Sequence, residues 1–171
     1  LCPNHASYLD GFAVFSSLPF RNISNVFFLG YSDILKHPLI RWANRIGRLI
    51  PIDPNTNLAE AMQAASYVLL QKKIVCIFPE GRRSVDENIG EFKKGIGILI
   101  KELNIPAVPV YIKGSHQSWP RARLMPRFCK LEVIFGRPLL AKDLLEKKGY
   151  GQDDYEIIAN NLRDEVIKLA C

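Results

Sequence analysis

No run of apolar residues in this sequence approaches the ~20 that a helix needs to cross a bilayer, so none of it reads as a membrane-spanning helix. The residues given show no signal-peptide pattern. Cysteine is sparse: Cys2, Cys76, Cys129 and Cys171 lie far apart, with no CxxC or metal-ligand spacing. That excludes a disulfide framework as the organising device and makes a reducing, cytoplasmic compartment the expectation. Cys76 sits inside an apolar run and is expected to be a buried free thiol. No cluster of histidine, cysteine and carboxylate suggests a metal, and no cofactor is expected. There is no internal repeat, no low-complexity tract and no linker. The Gly-x-Ser-x-Gly elbow of serine hydrolases is missing too. Histidine is limited to His5, His37 and His116, so imidazole chemistry must come from one of these.

What is present suits one folded domain. The chain has 171 residues, of which 48% are hydrophobic, enough for a full core. A net charge of +6 favours an anionic partner: a membrane surface, a phosphorylated substrate or nucleic acid. Strands are expected at Val26–Leu29, Leu49–Ile52, Ile74–Phe78, Ala107–Ile112 and Leu131–Phe135. Helices are expected from Asp10 to Leu18, Asp33 to Ile46, Leu58 to Gln71 (capped by Asn57), Phe92 to Leu103 and Asp153 to Leu169. IVCIF, Ile74–Phe78, is apolar throughout, the mark of a strand buried on both faces. Alternation of strands and helices predicts an α/β fold with a largely parallel central sheet flanked by helices. Gly136–Gly151 is the least patterned stretch and reads as a surface excursion. Asn4 opens a motif with no room for a strand before it, so residues 1–171 are expected to be a domain cut from a longer polypeptide, its N-terminal strand or helix missing.

Two stretches carry chemistry. The first is NHASYLD, Asn4–Asp10. A helix turns ~100° per residue, so five steps put His5 and Asp10 roughly 140° apart on a regular helix. They can meet only if the helix begins between them, with Ser7 a plausible cap. Asp10 would then accept a bond from one ring nitrogen of His5 and leave the other free to take a proton. The second is FPEGRRS, Phe78–Ser84, at the carboxyl end of the buried strand, where sites form in parallel sheets. Gly81 permits the turn. Arg82 and Arg83 offer guanidinium forks suited to phosphate oxygens. Glu80, a charge beside a buried strand, must hold an arginine or brace the loop. Ser84 lacks the surroundings of a nucleophile.

Together these stretches resemble the glycerolipid acyltransferases, the family typified by 1-acylglycerol-3-phosphate acyltransferase. Its first motif, NH, four residues, D, is matched by Asn4, His5 and Asp10. Its FPEGTRS motif is matched with Arg82 in place of threonine, followed by Phe92, Lys93 and Gly95. Its hydrophobic-Pro pairs are matched by Ile105-Pro106 and Val108-Pro109-Val110. In the remaining motif Pro38, Gly47, Ile52 and Asp53 fit, whereas Ser32 stands near the usual lysine and Pro54 replaces the usual arginine. Those two basic residues look like acceptor-phosphate contacts in the family. Their replacement points to another lysophospholipid as acceptor, and resembles acyltransferase domains fused to AMP-forming acyl ligases. Arg82 is positioned in sequence to compensate.

The resemblance implies transfer of a fatty acyl group from acyl-CoA or acyl carrier protein to the free hydroxyl of a lysophospholipid such as lysophosphatidic acid. His5 would deprotonate that hydroxyl and Asp10 would steady the imidazolium. The residues from Glu80 to Ser84 (Glu80, Gly81, Arg82, Arg83, Ser84) would bind substrate. Backbone donors around Gly81 would meet the oxyanion. Phe12, Val14, Phe15, Ile34, Leu39 and Trp42 are candidates for an acyl groove, though any core needs such residues. The expected location is the cytoplasmic face of a membrane, held peripherally. Two basic groups could serve there: Arg41, Arg45 and Arg48; and Arg121, Arg123, Arg127 and Lys130 among Trp119, Leu124, Met125 and Phe128. His116 is a better site neighbour than His37. A thioester hydrolase and a non-catalytic acyl-phospholipid-binding domain of a larger synthetase are the alternatives. Nucleic-acid binding lacks any reader motif.

Overall fold

The computed structural model describes residues 1–31, 48–52, 58–120, 123, 125–127, 129–147 and 149–171. The expected helix Asp33–Ile46 lies outside them, with Ile34, His37, Pro38, Leu39, Arg41, Trp42, Arg45 and Gly47. So do Ser32, Asp53, Pro54, Asn57, Arg121, Leu124 and Phe128.

The chain divides into two compact units, Leu1–Ser17 with Phe78–Cys171, and Leu18–Ile77. The second unit pairs β2 (Val26–Tyr31) in parallel with β3 (Leu49–Ile52) on one side and β4 (Ile74–Cys76) on the other. A short helix, α2 (Phe20–Ile23), leads into this sheet, and α3 (Leu58–Leu70) packs against all three strands. Ala61 and Ala65, four apart on one helix face, are buried, as are Val26, Val75 and Cys76. Cys76 is fully buried, as its apolar run predicts. The strand stops at Cys76, two residues short of expectation. The Phe78 carbonyl instead accepts the Gly81 N–H at 3.0 Å and closes a turn.

The first unit is built on β1 (Cys2–Pro3), β5 (Pro109–Lys113) and β6 (Glu132–Phe135), with β1 parallel and β6 antiparallel to β5. Strand pairing does precede the NH motif: two residues suffice, and Asn4 prolongs the ladder. Its side chain donates to the Ile112 carbonyl at 3.3 Å and accepts the Ile112 N–H at 2.7 Å, as a peptide group would. The helices of this unit are α1 (Asp10–Ser16), α4 (Lys94–Glu102), α5 (Ser115–Ser118), α6 (Ala141–Leu145) and α7 (Asp154–Lys168). Helix α7 starts where Asp153 accepts the N–H groups of Tyr155 and Glu156, both at 3.1 Å. It buries Ile158, Leu162 and Val166 and packs on α4, α6 and β5.

The segment Gly136–Gly151 is not a surface excursion. Leu139 pairs with Ala107 through two 2.8 Å main-chain bonds, and Leu139 and Leu144 are fully buried. The Asn161 side chain donates to the Leu144 carbonyl at 2.7 Å, fixing α6 to α7. Hydrophobic spacing missed this because one helical turn is too short to display a period. The α/β class and the predominance of parallel pairs agree with the sequence reading; the described pairs form two three-stranded sheets. No described helix is long and apolar enough to cross a membrane.

Helices α4 and α7 touch at Gly97, where an added Cβ would lie 2.0 Å from the Tyr155 carbonyl oxygen. Gly97→Ala must push the helices apart and should lower stability by about 1–3 kcal/mol or more. Thermal unfolding checks it; an unchanged midpoint would mean the helices separate freely.

Candidate active site

His5 leaves β1 on an irregular loop, and α1 begins only at Asp10. That start between the two residues lets them meet. His5 Nδ1 lies 2.8 Å from Asp10 Oδ2. The same oxygen accepts the N–H groups of Ala6 at 2.7 Å and Ser7 at 2.8 Å. Ser7 therefore does not cap α1 through its hydroxyl, which accepts the Leu9 N–H at 3.1 Å and stands 3.3 Å from Ser118 Oγ. The capping runs the other way: the Asp10 carboxylate reaches back and gathers the loop's orphan donors. Asp10 is wholly buried, while the His5 side chain keeps 19% of its surface exposed. The ring is thus anchored at its inner nitrogen and reachable from outside.

The FPEGRRS turn closes on this loop. The Ser84 N–H donates to the His5 carbonyl at 2.8 Å. Glu80 Oε1 accepts the His5 N–H at 2.8 Å and Oε2 accepts the Gly90 N–H at 3.0 Å. Of the two roles the sequence left open to Glu80, bracing the loop is the one its oxygens fulfil. Burial pushes its carboxyl above the ordinary value, against the pull of these two donors, and the Asp10 charge adds to the rise. The Phe78 ring stacks on the imidazole, centroids 4.1 Å apart and planes 28° from parallel. Gly81 takes φ of +72°, the left-handed region the turn requires.

Arg82 is exposed, whereas Arg83 is half-buried with its guanidinium 3.5 Å over the Tyr8 ring. Arg83 Nη1 is buried without a hydrogen-bond partner. The Ser84 hydroxyl donates to the Asp86 carbonyl at 2.7 Å. His116 sits beside this turn, its Nε2 3.3 Å from the Val85 carbonyl and its Nδ1 3.7 Å from Glu87. The structure thus brings His5, Asp10, Glu80, Arg83 and Ser84 into one constellation. Of the acyl-groove candidates, Val14 is plain core and Phe12 is 47% exposed. Sequence reasoning missed Phe78, Tyr8 and Trp119 as ring neighbours. The first two lie inside the motifs themselves, and that placement was the available signal. Among the described residues, no group of three or more His, Cys, Asp or Glu could hold a metal.

The fold is that of the glycerolipid acyltransferases. The crystal structure of the 1-acyl-sn-glycerophosphate (LPA) acyltransferase PlsC from Thermotoga maritima superposes with a TM-score of 0.66, covering 98% of this chain and 60% of that one at 22% identity. The sequence model of the family described as Acyltransferase matches residues 1–113, and the chain belongs to that family. It is 29% identical over 155 residues to a 1-acyl-sn-glycerol-3-phosphate acyltransferase of Limnanthes alba, covering 89% of this chain and 53% of that protein. A similar match to one from Cocos nucifera is 26% identical, covering 85% of this chain and 47% of the other. A probable enzyme of the same name from Mycoplasma pneumoniae is 30% identical over 64% of this chain and 41% of its own length. The chain spans about half the length of the curated relatives it matches.

Glu80 generates a prediction. Glu80→Gln places an amide NH2 against one of two backbone N–H donors, leaving a buried donor unsatisfied at a cost of about 1–3 kcal/mol. Thermal stability should fall. In the native protein the raised pKa means the folded state holds the Glu80 proton more tightly than the unfolded chain. Stability from this group is full at low pH and is lost as pH climbs from the ordinary carboxylate value through the raised one. Unfolding free energy against pH should show that decline in the wild type and not in the variant.

Proposed function

We propose that this domain transfers a fatty acyl group from an acyl thioester, acyl-CoA or acyl carrier protein, to the free hydroxyl of a lysophospholipid. The observation that carries the reading is the 2.8 Å contact between His5 Nδ1 and Asp10 Oδ2. A proton on Nδ1, donated to the carboxylate, leaves the Nε2 lone pair as a base on the accessible side of the ring. The thioester is already activated, so the acceptor hydroxyl itself attacks the acyl carbonyl. His5 takes its proton and then delivers it to the thiolate leaving group. Asp10 stabilises the imidazolium between those steps. Main-chain N–H groups in the Gly81 turn are the candidate donors to the tetrahedral oxyanion.

Arg83, with Arg82 at its edge, meets the phosphate of the acceptor. The names of the relatives favour lysophosphatidic acid as that acceptor. The departures at Ser32 and Pro54 favour another lysophospholipid, and both lie outside the described residues. The domain works from the cytoplasmic face of a membrane without spanning it. Val85 and Met125, 84% and 73% exposed, stand in the same unit as the exposed Arg127 and Lys130, a mixture suited to an anionic lipid surface.

The test is a panel of lysolipids with a labelled acyl donor, read by mass spectrometry. His5→Ala should lower turnover by about 10²–10⁴-fold, the usual contribution of a general base, with the fold intact. Turnover near the wild-type level would end the proposal. Acyl-CoA hydrolysis at equal rate with no acceptor present would favour the hydrolase alternative. Co-sedimentation with vesicles should require anionic lipid and weaken with salt.

A further inference from the structure

We propose that Tyr8 is a positioning residue for Arg83: its ring fixes the guanidinium by one face and thereby sets the enzyme's preference for an acceptor bearing a phosphate. This rests on the reading of Arg83 as the phosphate contact and says what holds that cation in place. Three observations converge on it. The Arg83 guanidinium carbon lies 3.5 Å from the centre of the Tyr8 ring, near the closest approach a stacked pair allows. Tyr8 also packs against Trp119, centroids 5.1 Å apart at 52°, and the Trp119 indole N–H donates to the Arg123 carbonyl at 2.9 Å. Arg83 has no carboxylate within ion-pair distance among the described residues, and its buried Nη1 makes no hydrogen bond.

An arginine paired with a carboxylate would have its fork of donors occupied. Stacked on an aromatic face, it is restrained while the in-plane N–H groups stay available. Those donors lie in the plane of the guanidinium, so fixing one face aims the fork along its edge. Bidentate bonding to two phosphate oxygens needs that edge. Tyr8 also belongs to the loop that carries His5 and Asp10, and Ser84, next to Arg83, is tied to the His5 carbonyl. The ring therefore sets the cation's location relative to the imidazole, the spacing that an acceptor's phosphate and hydroxyl must match. The ring makes these contacts and the hydroxyl does not enter them.

The test uses the intact protein with lysophosphatidic acid and, in parallel, the uncharged monoacylglycerol, comparing Tyr8→Phe, Tyr8→Leu, Arg83→Ala and the pair Tyr8→Leu/Arg83→Ala. Tyr8→Phe keeps the ring and should match the wild type. Tyr8→Leu keeps apolar bulk without a π face, so the KM for lysophosphatidic acid should rise about tenfold, within the range of a partly desolvated cation–π contact. Its kcat and its rate with monoacylglycerol should hold. In the Arg83→Ala background the leucine should add nothing, since the tyrosine acts through the arginine. If Tyr8→Leu behaves as Tyr8→Phe, or if its penalty persists without Arg83, the inference about Tyr8 is overturned while the phosphate assignment stands. If Arg83→Ala leaves the KM for lysophosphatidic acid unchanged, the phosphate assignment itself falls and takes the inference with it.

Discussion

One carboxylate oxygen organises the loop from His5 to Asp10. Asp10 Oδ2 gathers three donors, the His5 ring and the N–H groups of Ala6 and Ser7. A wholly buried carboxylate without partners would be strongly unfavourable, and each bond to a charged acceptor contributes about 1.5–3 kcal/mol. The loop thus has little freedom: unbending it would strand a charge in the interior. The irregular path from His5 to Asp10 follows from that requirement. A regular helix here would satisfy its own backbone and carry the imidazole to another face.

Glu80 supplies the complementary constraint. It bonds the main-chain N–H of His5, while Asp10 bonds the ring of the same residue. Backbone and side chain are therefore fixed by two different carboxylates from two different stretches of sequence. The Phe78 ring then limits rotation of the imidazole about the direction of the Asp10 bond. Ser84 closes the arrangement by donating its N–H to the His5 carbonyl, tying the turn that bears Arg83 to His5.

Much of this was legible beforehand, for definable reasons. The spacing of His5 and Asp10 forbids a continuous helix between them, and the structure breaks where it must. Glu80, adjacent to an apolar run, had to find partners inside. The periodic apolar faces of α3 and α7 appear within a residue or two of expectation. What escaped notice depends on contacts between residues far apart in sequence. Asn4 completes a ladder with Ile112, 108 residues away. Leu139 and Leu144 join the core through a segment too short to show a period. Ser7 was the reasonable cap on propensity grounds, yet the stronger acceptor, an ionised carboxylate three residues on, took the role. Charge-assisted bonds of this kind exceed neutral ones about twofold, which decides the competition.

The same comparison of strengths explains why an aromatic ring, and not a carboxylate, faces Arg83. Two buried carboxylates stand in this part of the protein, and both are committed to His5 and its loop. A third beside the arginine would neutralise the cation at close range, with little water to screen the pair. A ring restrains the guanidinium through its quadrupole and adds no formal charge. The charge of Arg83 therefore keeps no ion-pair partner among the described residues. On the proposed function, an anion-binding charge on one side chain and a proton-accepting nitrogen on another would let a single acceptor molecule use both at once.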